Sequence, residues 1–348
     1  MLLRVRSRTQ PAWGASSAKL DALYVGIRGR KVNWILDLDL KGFFDNIDPE
    51  LLMEMIERRI ADPRILRLIR KWLKAGVIED GEWSETEKGT PLTRGKDDWR
   101  PCPGIRSAVR LRFEAGAVIS PLLANIYLHY VLDQWTDQWR QQAQGDVIIV
   151  RYADDAVLGF QREYEAKKFL QDLRGQLSKY GLELNEDKTR LIRFGRFARQ
   201  NREEGGEGEP ESFTFLGFRH VGAENSLGRF EVRRITEGSR RRKKLQEIKQ
   251  NLRRRMHEPV AQVGGWLKSV LGGYYQYHAV PGNLTVLSRF RRQVARYWFH
   301  ALEQRSQRRP SWEKLGQVFA QWLPVPHVVH EYPDARFYAS RHAAAYPK

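Results

Sequence analysis

The sequence predicts an α+β fold: a split βαβ, ferredoxin-like sheet within residues 31–225, followed by a basic α-helical region over residues 226–348. Three observations predict it. The elements run in the order strand, helices, hairpin, helix, strand. Beyond Glu237 the apolar residues fall into a repeat of three to four positions. The excess of positive charge is confined almost wholly to the last third of the chain.

Val32 to Leu40 is apolar apart from Asp37 and Asp39 and reads as a buried strand. Asp48-Pro49 opens a helix with Leu52, Ile56 and Ile60 on one face. Asp62-Pro63 stops it and caps a second helix bearing Ile65, Leu66, Ile69, Trp72 and Leu73, with Gly76 beyond. Ser120-Pro121 opens a third, with Leu123, Ile126, Tyr127, Tyr130 and Val131 at helical spacing. Residues 146–160, DVIIVRYADDAVLGF, are two apolar β-forming runs around a short polar centre, a hairpin. Glu165 to Tyr180 forms an amphipathic helix that Gly181 ends. Leu182 and Leu184 mark one strand and Leu191 to Phe194 another. Gln200 to Pro210, rich in Gly and Glu, reads as a surface loop, and Phe213 to Phe218 (FTFLGF) as a short strand. Leu245, Ile248, Leu252 and Met256, then Trp266, Val270 and Tyr274, mark the helices of the last third.

The chain carries a formal net charge of +18 in 348 residues. Leu227 to Lys348 hold 24 Lys/Arg against 8 Asp/Glu, whereas the preceding part holds 36 against 34. A block of that kind neutralises phosphates and gains from counterion release, which points to a nucleic-acid partner. The runs Arg240-Arg241-Arg242-Lys243-Lys244 and Arg253-Arg254-Arg255, with Arg291 and Arg292, are the candidate RNA-binding residues. Aromatics interleave with them (Trp266, Tyr274, Tyr275, Tyr277, Phe290, Tyr297, Trp298), and burial statistics place most of these rings in the core. The single cysteine, Cys102, excludes an internal disulfide and a Cys-rich zinc site. With no long apolar run and no signal-peptide pattern, a cytoplasmic chain without a membrane partner is expected.

Asp154 and Asp155 sit between two apolar strands, where like charges repel and lose solvation. Taken alone, such a pair is ordinary turn chemistry. Asp39 in its own apolar strand changes the balance, because adjacent strand ends in such a sheet bring the three carboxylates together. Hard divalent cations offset that charge, and Mg²⁺ suits a few carboxylates plus substrate phosphates. Two such ions about 3.5–4 Å apart clamp the attacking and leaving oxygens of an in-line phosphoryl transfer.

WILDLDLKGFFDNID, AVISPLLANIYLHYVLD, VRYADD, LELNEDKT and FTFLGF, in that order, resemble the palm motifs of group II intron reverse transcriptases, also called maturases. GGYYQYHAVPGN and the basic helix after it resemble that family's thumb and maturase region. The resemblance runs from about Leu20 to Pro91 and again from Gly116 to near the C-terminus. It implies a reverse-transcriptase palm over 31–225 followed by an α-helical thumb/maturase region over 226–348, with residues 1–30 as a remnant of the fingers. It implies RNA-directed DNA polymerase activity with two Mg²⁺ ions held by Asp39, Asp154 and Asp155. Lys188 matches the lysine that neutralises or protonates the leaving pyrophosphate. Phe44 matches the residue under the sugar that rejects a 2′-OH, and Tyr152 opens the YADD motif at the nucleotide site. Phe215, Leu216 and Gly217 match the primer grip. The implied partners are intron RNA, an RNA template with a DNA primer, and deoxynucleoside triphosphates. Asp37 and Asp45 match no metal role and read as structural.

The pattern breaks twice. Only 38 residues precede Asp39, and the first of them lack a clear period or the family's basic fingers segment. The family's GTPQG-type loop is split: GTP at Gly89 to Pro91 is followed by 24 Arg-rich residues, 92–115, before GAVISP, and the glutamine is absent. A second reading, from a different class, is an RNA-binding maturase whose palm is catalytically silent, or a decayed fragment. No Cys- or His-rich nuclease module follows, so DNA cleavage by a separate nuclease is not expected.

Overall fold

The computed structural model describes residues 12–73, 77–79, 82–84, 121–206, 210–305 and 311–338. The 92–115 insertion, the GTP segment and Cys102 lie outside the described residues. The chain divides into two compact units: Lys31–Ile192 on one side, and the chain up to Arg30 with Arg193–Lys348 on the other. The N-terminal helix is thus grouped with the C-terminal helices.

In the first unit, β1 (Trp34–Leu38) is followed by a 3-10 turn (Phe43–Asp45), α2 (Pro49–Glu57) and α3 (Pro63–Leu73), and then by a small hairpin of β2 (Val77–Glu79) and β3 (Glu82–Ser84). A long helix comes next: α4 (121–128), a π-helical stretch (His129–Gln134) and α5 (Trp135–Gln141). Then come β4 (Val147–Tyr152), β5 (Asp155–Phe160), α6 (Glu163–Ser178) and β6 (Arg190–Arg193). The sheet order β4-β5-β1-β6 is that of a ferredoxin-like split βαβ fold. β1 runs antiparallel to β5, from Trp34 opposite Phe160 to Leu38 opposite Ala156. Side chains alternate along each strand, so Leu36, Leu38, Leu158 and Phe160 enter one core with Leu52, Tyr127, Leu128, Phe169 and Leu173 of the helices. Asp48 caps α2 as the Asp-Pro pair predicts: its carboxylate accepts from the N–H groups of Glu50 (2.8 Å) and Leu51 (3.1 Å). The strand expected at Leu182–Leu184 is reduced to one bridge, Leu184 to Leu40. The chain turns there, with the N–H groups of Lys188 and Thr189 both donating to the Asn185 carbonyl.

The second unit holds α1 (Ala12–Gly29), α7 (Ala198–Glu204), an antiparallel meander of β7 (Ser212–Phe215), β8 (Phe218–Glu224) and β9 (Phe230–Thr236), and four helices. These are α8 (Gly238–Arg254), α9 (Val260–His278), α10 (Leu284–Glu303) and α11 (Trp312–Trp322). Residues Leu20 to Ile27 of α1 are all buried, so the helix has no polar stripe, which is why its period is invisible in the sequence. Asp21 in α1 is buried between Arg234 of β9 (3.1 Å) and Arg336 (2.6 Å). FTFLGF is a hairpin and not one strand, because Leu216 and Gly217 both adopt positive φ (48° and 77°) and reverse the chain. The segment read as a loop from Gln200 begins within α7. The helical core gathers Ile248, Leu252, Leu267, Leu271, Phe290, Val294, Trp298 and Phe319. Most of the interleaved aromatics pack there, with Tyr274 stacked on Phe290 at 4.3 Å.

His220 of β8 is fully buried, stacked on Phe213 at 4.8 Å, and neither ring nitrogen has a hydrogen-bond partner among the described residues. Burial, then the charge of Arg234, push its pKa down to about 3. Below its ordinary value the unfolded chain takes up a proton that folded His220 refuses, so stability falls as pH drops from about 6.5 toward 3. We expect denaturant titrations to lose about 2 kcal/mol per buried neutral histidine between about pH 7 and 5. His220→Phe should flatten that slope; an unchanged slope would mean that His220 is not the group responsible.

Candidate active site

Asp39 follows β1 directly. Since Leu38 pairs with Ala156, the next positions in line are Asp39 and Asp155. Alternation sets Asp37, Asp39 and Asp155 on the sheet face opposite Leu36, Leu38 and Leu158, which the helices cover. Asp37 shows the resulting crowding. Burial raises its pKa to about 6, against the pull of Arg190 at 3.5 Å, and Asp155 and Asp39 push it further in the same direction. No motif singles out this carboxylate in the sequence, although the charges of the other two bear on it.

The NEDKT segment clamps Asp39. Asn185 N–H donates to its carbonyl at 2.8 Å, and the Thr189 hydroxyl accepts from its N–H and donates to its carbonyl, both at 3.4 Å. The same segment sets the Lys188 ammonium 3.5 Å from Asp39 Oδ2. Phe44 is half-buried beside Phe43, ring centroids 5.1 Å apart, on the 3-10 turn after Asp39. Tyr152 pairs with Asp155 and closes the hairpin.

The hairpin turn is Ala153-Asp154, with Ala153 in the left-handed region at φ 55°. That conformation is costly for a residue with a Cβ. Arg151 offsets it: its guanidinium donates to the Ala153 carbonyl (2.7 Å) and to Asn125 Oδ1 (2.8 Å), and grips Asp133 with two bonds (2.8 and 2.7 Å). Asp133 lies in the π-helical stretch, the local widening that often marks functional sites. Sequence reasoning passed over Arg151 and Asp133; the one available signal was an arginine facing the helical core from an otherwise apolar strand.

Carboxylate oxygens are the donors that Mg²⁺ prefers, and Asp39 and Asp155 end neighbouring strands, so the chemistry of the donor set fits. Among the described residues, however, no three His, Cys, Asp or Glu side chains close into a group that could hold a metal ion. Asp39 and Asp155 share one edge of the sheet, with Asp154 beside them in the hairpin turn. Mutual repulsion favours separation, and the Lys188 ammonium already stands beside Asp39.

Phe215, Leu216 and Gly217 fall in the other unit, at the β7–β8 turn. Tyr277 OH donates to the Leu216 carbonyl (2.7 Å) and Glu237 N–H to the Gly217 carbonyl (3.0 Å). A Cβ at position 217 would lie 2.9 Å from Arg240 Nη1, so glycine also admits Arg240 against the turn. Of the basic candidates, Arg240, Arg242, Lys243, Arg253, Arg254 and Arg292 are exposed, and Arg241 is half-buried. Lys244 pairs with Glu247, Arg255 with Glu258 while lying over Trp266, and Arg291 donates to the Leu323 carbonyl. These last three have work inside the unit that the sequence did not reveal.

A ferredoxin-like sheet with a YADD hairpin beside an aspartate-bearing strand defines a nucleic-acid polymerase palm. Residues 10–220 match the family described as "Reverse transcriptase (RNA-dependent DNA polymerase)", and the chain belongs to that family. It is 38% identical over 96 residues to the group II intron-encoded protein LtrA of Lactococcus lactis subsp. cremoris, covering 28% of this chain and 12% of LtrA. It is 29% identical over 237 residues to protein YkfC of Escherichia coli K12, covering 59% of this chain and 50% of YkfC. The chain thus spans half or less of these relatives. Among solved structures, telomerase from Candida albicans with a TWJ fragment of telomeric RNA aligns at 12% identity and a TM-score of 0.44, over 97% of this chain and 54% of that one. Among the described residues, no helix is long and apolar enough to cross a membrane.

Arg151→Lys keeps the charge but cannot hold Asp133, Asn125 and Ala153 together. We expect a folded protein with an unchanged circular dichroism spectrum whose primer extension falls about ten- to hundredfold and needs more Mg²⁺. Extension at the parental level and Mg²⁺ requirement would show that the turn is held without Arg151.

Proposed function

We propose that the protein is an RNA-directed DNA polymerase of the group II intron type, which also binds intron RNA and assists its splicing. The observation that carries this reading is the β1–β5 register, which sets Asp39 beside Asp155 on the sheet face away from the helices. The group II assignment is supported by the similarity to LtrA. Asp39, Asp154 and Asp155 are the residues that would hold two Mg²⁺ ions. When bound, these would supply the positive charge that stabilises the attacking and leaving oxygens of nucleotidyl transfer. Lys188 brings its ammonium to the same edge, 3.5 Å from Asp39, and is the proposed donor of charge or a proton to the departing pyrophosphate. Phe44 and Tyr152 are the proposed nucleotide-site residues, Phe44 excluding a ribose 2′-OH by bulk.

The Leu216-Gly217 turn is the proposed primer grip. The exposed basic side chains Arg240, Arg242, Lys243, Arg253, Arg254 and Arg292 are the proposed contacts to structured RNA, read through its backbone and shape. The substrates in this reading are an RNA template, a DNA primer and deoxynucleoside triphosphates, and the proposed setting is the cytoplasm.

Asp154→Asn with Asp155→Asn tests the assignment on a primed RNA template with Mg²⁺. Extension should fall at least about a thousandfold, the scale expected when charge-stabilising groups are removed, while affinity for structured RNA stays within about twofold. Equal loss of both would contradict the division of labour. Wild-type protein that binds RNA and extends nothing would favour the silent maturase.

A further inference from the structure

One cavity of the second unit is lined by none of the residues assigned above. It is an open cleft of about 1170 Å³ lined by the segment Phe194–Glu203 and by residues of both faces of the β8–β9 hairpin. That exceeds the ~300–1,000 Å³ usual for a small-molecule site. Seven arginines and two glutamates line it. Strand alternation explains the composition. Phe218, His220, Val232 and Arg234 point into the unit, which leaves Arg219, Val221 and Arg233 on the outer face, Val221 directly opposite Arg233.

The charge is only partly answered from within. Arg199 pairs with Glu203 (2.9 Å), Arg202 with Glu211 (3.5 Å), Arg233 with Glu231 (3.7 Å) and Arg28 with Asp334 (2.7 Å). Arg196, Arg219 and Arg229 have no carboxylate partner among the described residues; Arg219 donates to the Ser212 hydroxyl at 2.8 Å. All three are exposed. Phe197, next to Arg196 in the chain, has 54% of its surface exposed, whereas Phe194 and Phe230, which also line the cleft, pack against each other with ring centroids 6.4 Å apart. Unpaired guanidinium groups fit phosphate oxygens bidentately, and an exposed aromatic ring beside them offers a stacking platform for a base.

We propose that this cleft binds a single-stranded nucleic-acid segment, with phosphates on Arg196, Arg219 and Arg229 and a base stacked on Phe197. An acidic peptide would satisfy the arginines but leave Phe197 without a role. The site is separate from the basic helical surface and does not require the chain to polymerise.

Fluorescence anisotropy of the full chain with labelled single-stranded oligonucleotides of about ten nucleotides, within the usual site size of such grooves, tests the proposal. RNA and DNA versions are measured without Mg²⁺ or nucleotides, so the outcome is independent of polymerase activity. Arg196→Ser with Arg229→Ser should weaken binding about tenfold and lower the magnitude of the salt slope by about 1.4, for two phosphates released. Phe197→Ala should weaken it roughly fivefold or more with the slope unchanged. All three side chains are exposed, so the fold is kept, and Arg253→Ser with Arg254→Ser serves as the control for the helical surface. Loss with both oligonucleotides, or with RNA or DNA alone, supports the cleft and names its strand. Unchanged binding in both cleft variants would overturn it. So would a polyglutamate peptide that displaces the oligonucleotide as well as unlabelled RNA does.

Discussion

Crowded negative charge on one face of an apolar sheet is the constraint around which the unit Lys31–Ile192 is organised. The β1–β5 register leaves no other place for Asp37, Asp39 and Asp155. Three carboxylates in reach of one another are unfavourable unless cations answer them. The chain supplies two of its own, Arg190 beside Asp37 and Lys188 beside Asp39, both from the stretch that follows α6. Even so, burial above all pushes the Asp37 pKa up to about 6, and at physiological pH the group is still mostly ionised, so the fold has to carry its charge. A scaffold that tolerates this arrangement is suited to a charge that arrives with substrate.

The turns of the YADD and FTFLGF hairpins share a second device. Ala153 and Leu216 are the non-glycine residues with positive φ among the described residues. Each has its carbonyl held by a long side chain, Ala153 by Arg151 and Leu216 by the Tyr277 hydroxyl. The strain of a left-handed residue, of order 1–3 kcal/mol, persists where surroundings over-determine it. In each hairpin the fixing side chain also ties the turn to a helix: Arg151 reaches on to Asn125 of α4 and Asp133 of the π stretch, and Tyr277 belongs to α9.

Much of this was legible in the sequence, and the rest fails for physical reasons. The order of elements and the Asp-Pro cap of α2 needed only periodicity and capping chemistry, and the YADD hairpin only two apolar runs. α1 escaped because a helix buried on all sides has no stripe. FTFLGF read as one strand because its turn is only Leu216-Gly217, and a single glycine is a weak signal when leucine takes the other positive-φ position. α7 was hidden by charge: ARQNREE has good helix formers but no apolar face. At the site, the aspartates and Lys188 are visible as motif residues, whereas Arg151, Asp133 and the coupling of Asp37 depend on pairing across the fold. The arginine cleft draws on α7 and the β8–β9 hairpin together, so no single stretch announces it.

The central claim is that the edge formed by Asp39, Asp154 and Asp155 is a divalent-cation site. Iron(II)-driven hydroxyl-radical cleavage tests it directly, because iron bound in place of Mg²⁺ cuts the nearby backbone. The account predicts cuts close to residues 39 and 154 that excess Mg²⁺ suppresses and that Asp154→Asn with Asp155→Asn abolishes. Cuts confined to other parts of the chain, or cuts at these positions that persist in the double variant, would contradict it.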